Sequence, residues 1–160
     1  MDSVEQLLAI EEIKRLKASY FHALDLKEWD RYGQLFTVPT VIDFSDQPEL
    51  WGHGPEDQRP DPEDWIFTDG KLCADAIEPL FDGVVTTHHG HDPVVEITGE
   101  TTATGTWSLY DRLEFPEEIF HGFGHYRDEY QKVDGRWLIS KLVLTRLRCA
   151  WEAPALTAES

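Results

Sequence analysis

The sequence is poor in positive charge: 14 Lys and Arg stand against 31 Asp and Glu, a formal net charge of −17 at pH 7. That balance repels nucleic acid and anionic membrane, so neither is an expected partner. It does not point to a substrate, because acidity is also a plain route to solubility. Cysteine is scarce too. Cys73 and Cys149 lie far apart and show no metal spacing, so reduced thiols in a cytoplasmic protein are the expectation. No apolar run approaches the ~20 residues that span a bilayer. The acidic start Met1-Asp2-Ser3-Val4-Glu5 has no signal-peptide core.

Aromatics, in contrast, are plentiful, with six Trp, eight Phe and five Tyr. They can fill a core and also line a pocket for a flat or polycyclic ligand. The length of 160 residues fits one domain, expected over 1–152, with 153–160 as a flexible tail.

From Val4 to Leu24, apolar residues Ile13, Leu16, Tyr20 and Leu24 recur at helical spacing, with Lys14, Arg15 and Lys17 off that stripe. A second helix is expected over about Lys27–Phe36, and a strand over Thr40–Phe44. Residues 45–69 form a long polar loop containing Trp51 and Trp65, of the kind used as lids or interface arms or left disordered. Asp69 is a candidate N-cap for a helix reaching Phe81. Four long strands follow over 84–97, 101–113, 122–133 and 136–149, the last two joined by the hairpin turn Asp134-Gly135. Helices grouped ahead of an antiparallel meander imply an α+β fold. Gly105, Gly122 and Gly124 stand where the strands could bend into a cone around the early helices.

The densest chemistry is Thr86-Thr87-His88-His89-Gly90-His91-Asp92, leading into the strand Pro93–Ile97. Histidine takes and returns a proton near neutrality. His89 and His91 also read as surface or interface residues. Zinc is a weak reading, because neighbouring side chains on a strand point to opposite faces and no matching ligand set follows. His88 shares parity with Val94 and Glu96, whereas Val95 and Ile97 look like core. A bulge across Gly90–Pro93 would reconcile the two. His121 and His125 share a face of a later strand.

Tyr20 reads either as a core aromatic or as a pocket phenol. Asp25 has capping-box spacing to Glu28, which would open the second helix. It could instead hydrogen-bond His88 and fix its tautomer. Arg146 shares parity with Leu142 and Leu144 and therefore needs a partner: a pocket carboxylate, a ligand oxygen or another subunit. Arg148 nearer the strand end reads as a surface residue.

Several stretches together resemble the SnoaL-like branch of the NTF2-like superfamily. They are Ile13–Phe21, Leu24-Asp25 with Trp29-Asp30, His88–Ile97, Thr101–Trp107 with Asp111-Arg112-Leu113, and the last hairpin with Gly135-Arg136-Trp137 and Arg146. In motif they are most similar to the bacterial bile-acid 7α-dehydratases and, more distantly, to the scytalone dehydratases. The resemblance implies helices packed on a strongly curved sheet. It also implies a cofactor-independent, metal-free hydro-lyase acting on a hydrophobic ring-containing substrate; an isomerase, a polyketide-type cyclase and a non-catalytic binding module are the alternatives.

By the same resemblance, His88, Asp25, Tyr20 and Arg146 are the expected catalytic set. Trp107, Phe44, Phe21 and His125 are the expected substrate contacts. A second catalytic histidine of the scytalone dehydratases aligns with Trp107, so the leaving hydroxyl would take its proton from Tyr20, a reused His88 or water. A homodimer or homotrimer through the outer sheet face is implied as well. Trp107, Tyr110, Trp137 and Trp151 are candidate pocket or interface aromatics.

Overall fold

Six strands form one sheet in the order β2-β1-β6-β5-β4-β3, in a computed structural model that describes residues 1–46 and 61–154. Helix α1 (Ser3–Asp25) leads. Its N-terminus is closed by a capping box between Asp2 and Glu5. The stripe of Ile13, Leu16, Tyr20 and Leu24 is buried, together with Ala9, Phe21 and Ala23. The second helix is much shorter than the 27–36 expected from periodicity: α2 is Trp29–Gly33, capped by Glu28 without a side-chain hydrogen bond. The Asp25–Glu28 capping box does not form, because Asp25 ends α1 and its carboxylate faces the sheet instead.

Strand β1 (Phe36–Asp43) starts four residues earlier than Thr40, and lies parallel to β6. The short β2 (Ile66–Phe67) closes that edge of the sheet. Asp69 caps α3 (Gly70–Ile77) by accepting from the Lys71 and Leu72 amides. A 3-10 turn over Glu78–Leu80 ends the expected helix early, with Pro79 inside the turn. Trp51 and residues 155–160 of the tail lie outside the described residues.

The meander is antiparallel throughout: β3 (Val85–Ile97), β4 (Thr102–Glu114), β5 (Ile119–Val133) and β6 (Arg136–Glu152). Asp134 and Gly135 both have positive φ, as a two-residue primed turn requires. A bulge sits between His91 and Val94, with Asp92 at φ 48. It shifts the strand by one face, so Thr86 and His88 point inward before it and Val95 and Ile97 pack on the core after it.

Strict alternation along β4 buries Trp107, Leu109, Asp111 and Leu113. The concave face of the sheet closes over α1, and the aromatic rings of Tyr20, Phe21, Tyr32, Phe36 and Tyr126 meet there. Beneath them, Lys17 and Asp128 form an ion pair 2.8 Å apart, with both side chains fully buried. Tyr130 donates to Asp128 at 2.7 Å, and Trp107 donates to Tyr130 at 2.9 Å.

Candidate active site

The end of α1 meets the first half of β3, so that Asp25 and His88 come together. His88 Nδ1 lies 2.6 Å from Asp25 Oδ1, and the His88 backbone N–H donates to Asp25 Oδ2 at 2.9 Å. Thr86 donates its hydroxyl to Oδ1 at 3.0 Å. Burial alone would raise the Asp25 carboxyl. The hydrogen bonds and charge of His88, its amide and Thr86 outweigh burial and hold the carboxyl below the ordinary range. A carboxylate on Nδ1 leaves that nitrogen protonated and Nε2 unprotonated in the neutral ring. The His88 side chain is only 5% exposed.

His88 faces a small chamber within the cone. Tyr20, Tyr126, Asp111 and Arg146 supply its other polar groups, and Leu24, Phe44, Trp65, Leu113 and Leu144 much of its apolar wall. Arg146 on β6 donates Nη1 and Nη2 to the two oxygens of Asp111 on β4, both at 2.8 Å. The two strands hold these residues on the same inner face across β5. Gly122 lies between them, and a side chain there would run into Asp111 and Arg146. Desolvation lowers the Arg146 pKa, but the Asp111 charge and hydrogen bonds more than reverse it, so the guanidinium stays charged. Desolvation also pushes the phenols of Tyr20 and Tyr126 well up, so both are neutral hydrogen-bond donors. The Tyr20 hydroxyl makes no hydrogen bond of good geometry among the described residues. The chamber volume is about 40 Å³, room for a water or two.

Of the residues singled out from sequence, Tyr20, Asp25, His88, Arg146 and Phe44 gather in or beside this chamber. Three do not line it. The Phe21 ring packs under Gly90 and against Tyr20 and Tyr126 as core. Trp107 is buried with its indole committed to Tyr130. These two border a second cleft between α1 and β3, which His88 also borders. His125 alternates with buried Gly124 and Tyr126 and therefore sits on the outer face of the sheet, pairing with Ser108 and Thr145.

His89 and His91 are exposed. His121 shares the outer face with His125 and bonds Tyr110. Among the described residues, no group of three or more His, Cys, Asp or Glu is placed to hold a metal ion.

Sequence reasoning missed Asp111, Tyr126, Tyr32 and Trp65 as lining residues. Asp111 carried a signal, as a lone carboxylate in phase with Trp107, Leu109 and Leu113 on an otherwise apolar strand face.

A family model described as a SnoaL-like domain matches residues 5–143. The chain belongs to the SnoaL-like family. Its α+β architecture, with N-terminal helices on a curved, mostly antiparallel sheet, is that of the NTF2-like folds.

Three solved structures illustrate the likeness. A "Putative Scytalone Dehydratase" from Novosphingobium aromaticivorans DSM 12444 is 17% identical with a TM-score of 0.76, covering 99% of either chain. The LinA-type3 hexachlorocyclohexane dehydrochlorinase from Novosphingobium barchaimii LL02 is 14% identical over 99% of this chain and 100% of its own, TM-score 0.73. The Kfla4162 protein from Kribbella flavida is 22% identical over 88% and 91%, TM-score 0.71. At these identities the likeness is one of fold.

Proposed function

We propose that this SnoaL-like protein is a cofactor-independent carbon–oxygen lyase that eliminates water from a hydrophobic, ring-containing small molecule. The observation that carries this reading is the 2.6 Å contact between His88 Nδ1 and Asp25 at the wall of an apolar chamber. Asp25 orients the ring and stabilises its imidazolium. His88 Nε2 takes a proton from carbon next to a carbonyl or conjugated system. The electron pair becomes the new C=C bond and the C–O bond breaks. The departing hydroxide receives a proton from the His88 imidazolium or a chamber phenol and leaves as water.

Tyr20 and Tyr126, neutral and aimed at the chamber, donate to the developing oxyanion or the leaving oxygen. Arg146 sets the local field as a charge already paired with Asp111. The scytalone dehydratase and dehydrochlorinase names among proteins of the same fold agree with elimination chemistry. Phe44 and Trp65 are the proposed apolar substrate contacts. A cytoplasmic homodimer or homotrimer completes the proposal.

The small chamber favours one rival, a non-catalytic module. A ring-bearing molecule enters only after lining side chains move. A panel of hydroxylated ketones, steroids and phenolic polyketides, screened by mass spectrometry for the loss of one water, separates the readings. We expect a hit that His88→Ala lowers by about 10²–10⁴-fold, the usual share of a positioned acid–base group. A product of unchanged mass would assign isomerisation or cyclisation instead. Near-wild-type turnover in both His88→Ala and Asp25→Ala would refute the mechanism.

A further inference from the structure

One residue that the mechanism leaves unused sits behind the Asp25–His88 pair. Helix α1 ends in a Schellman arrangement, with the Glu28 amide donating to the Ala23 carbonyl at 2.8 Å and the Lys27 amide to that of Leu24 at 3.3 Å. The residue after the cap in such an ending has a left-handed backbone, and glycine adopts it without penalty. Here it is Lys27, at φ 60. A lysine in that conformation is strained, and strain of this kind persists only where the surrounding structure holds it in place.

The Lys27 side chain folds back over the Phe81 ring, and its ammonium donates to Thr86 Oγ1 at 2.6 Å. An ammonium has donors only. Thr86 must therefore accept from it, and the threonine has one proton of its own left to donate. That proton goes to Asp25 Oδ1 at 3.0 Å. Asp25 Oδ1 consequently receives both Thr86 and His88 Nδ1, while Oδ2 receives the His88 amide.

We propose that Lys27 is a positioning residue for the Asp25–His88 pair, acting through the Thr86 hydroxyl. This deepens the lyase reading and, for its effect on turnover, rests on it. Lys27 fixes the direction of the Thr86 proton, and Thr86 fixes the plane of the Asp25 carboxylate. The carboxylate then holds His88 with Nδ1 protonated and Nε2 open to the chamber. Without the ammonium, the hydroxyl rotor is released and the carboxylate loses a committed donor and a nearby cation. Besides Glu28, Glu78, Asp82 and further acids, the grooves that Lys27 borders carry two cations, Arg31 and Lys71. Both are engaged elsewhere, Arg31 with Glu28 and Lys71 with Asp75. Burial lowers the lysine's pKa, and the Asp25 charge works against that.

Two substitutions test this together. Lys27→Met keeps the stem and the strain but removes the charge. Lys27→Gly removes both side chain and strain, so its melting temperature equals or exceeds that of the parent. The first readout needs no substrate: the proton NMR signal of the His88 Nδ1–H bonded to Asp25, assigned by its loss in His88→Asn. It is expected in the parent and broadened or lost in both Lys27 variants. The second readout is turnover on any substrate found, where kcat falls about tenfold with KM unchanged, the usual loss for an outer partner of a working imidazole. An unchanged Nδ1–H signal in both variants overturns the proposal. Because that signal is read without substrate, failure of the lyase reading would leave this result standing on its own.

Discussion

The ion pair at the closed end of the cone gives the sharpest stability prediction. Lys17 and Asp128 are 2.8 Å apart with both side chains 0% exposed. The ammonium has one carboxylate oxygen and the faces of Tyr126 and Tyr20, 3.8 and 4.6 Å from their centroids. Breaking such a pair by removing one partner costs about 3–5 kcal/mol, because the other charge stays buried. Asp128→Asn therefore loses about that much at neutral pH, and its melting temperature drops by about 10 °C in a protein of this size.

The pH dependence has a definite sign. Burial holds the Lys17 pKa below its ordinary value, and Asp128 opposes that shift. The folded state thus binds this proton less tightly than the unfolded chain, so stability rises with pH from the folded pKa up to about 10.4, the ordinary lysine value. Asparagine removes the opposing charge and extends that window downward. Asp128→Asn should recover stability more steeply than the parent as pH rises from neutrality toward the ordinary lysine value. Urea unfolding across that range measures it. The double variant Lys17→Met/Asp128→Leu should return close to the parent, since apolar isosteres replace such pairs at little cost. A loss under about 1 kcal/mol in Asp128→Asn, the scale of a surface pair, or a pH slope equal to the parent's, would refute the reasoning.

Three further outcomes follow from the chamber. Tyr20→Phe removes a buried hydroxyl that makes no good hydrogen bond, so thermal stability holds or rises while turnover falls about 10²-fold, as for a lost oxyanion donor. For Asp25→Asn, the sign comes from a carboxyl held below its ordinary pKa. Its stabilisation is present above the unfolded value of about 3.9 and is lost as pH falls through the folded one, so parent and variant melts should differ at neutral pH and converge in acid. Gly122→Ala forces the Asp111–Arg146 pair apart; a loss of about 1–3 kcal/mol by denaturant titration is expected, and parent-like stability would show that the sheet yields there.

Much of the fold could be read from local pattern. The α1 stripe, the Asp69 cap and the Asp134-Gly135 turn each follow from residues a few positions apart, whereas parity alone left the bulge before Pro93 open. Errors fell where tertiary contacts overrode such signals. Asp25 and Glu28 have capping spacing, yet three donors from β3 take the Asp25 carboxylate and α2 shrinks to five residues. Trp107 and Phe21 are aromatic and inward-facing, but which inward residues reach a cavity depends on how far along the cone they sit. His125 was misjudged by one position, since its face is set by the β5 register against β4 and β6.

By itself, the sequence determined the kinds of element, their order and the residue types able to move a proton, because periodicity, turn chemistry and side-chain pKa are local properties. Only the tertiary structure decided which charges meet. His88 finds Asp25 across 63 residues and Arg146 finds Asp111 across 35. Those pairings depend on strand register and on the curvature that carries the sheet over α1, and no short stretch of chain encodes either.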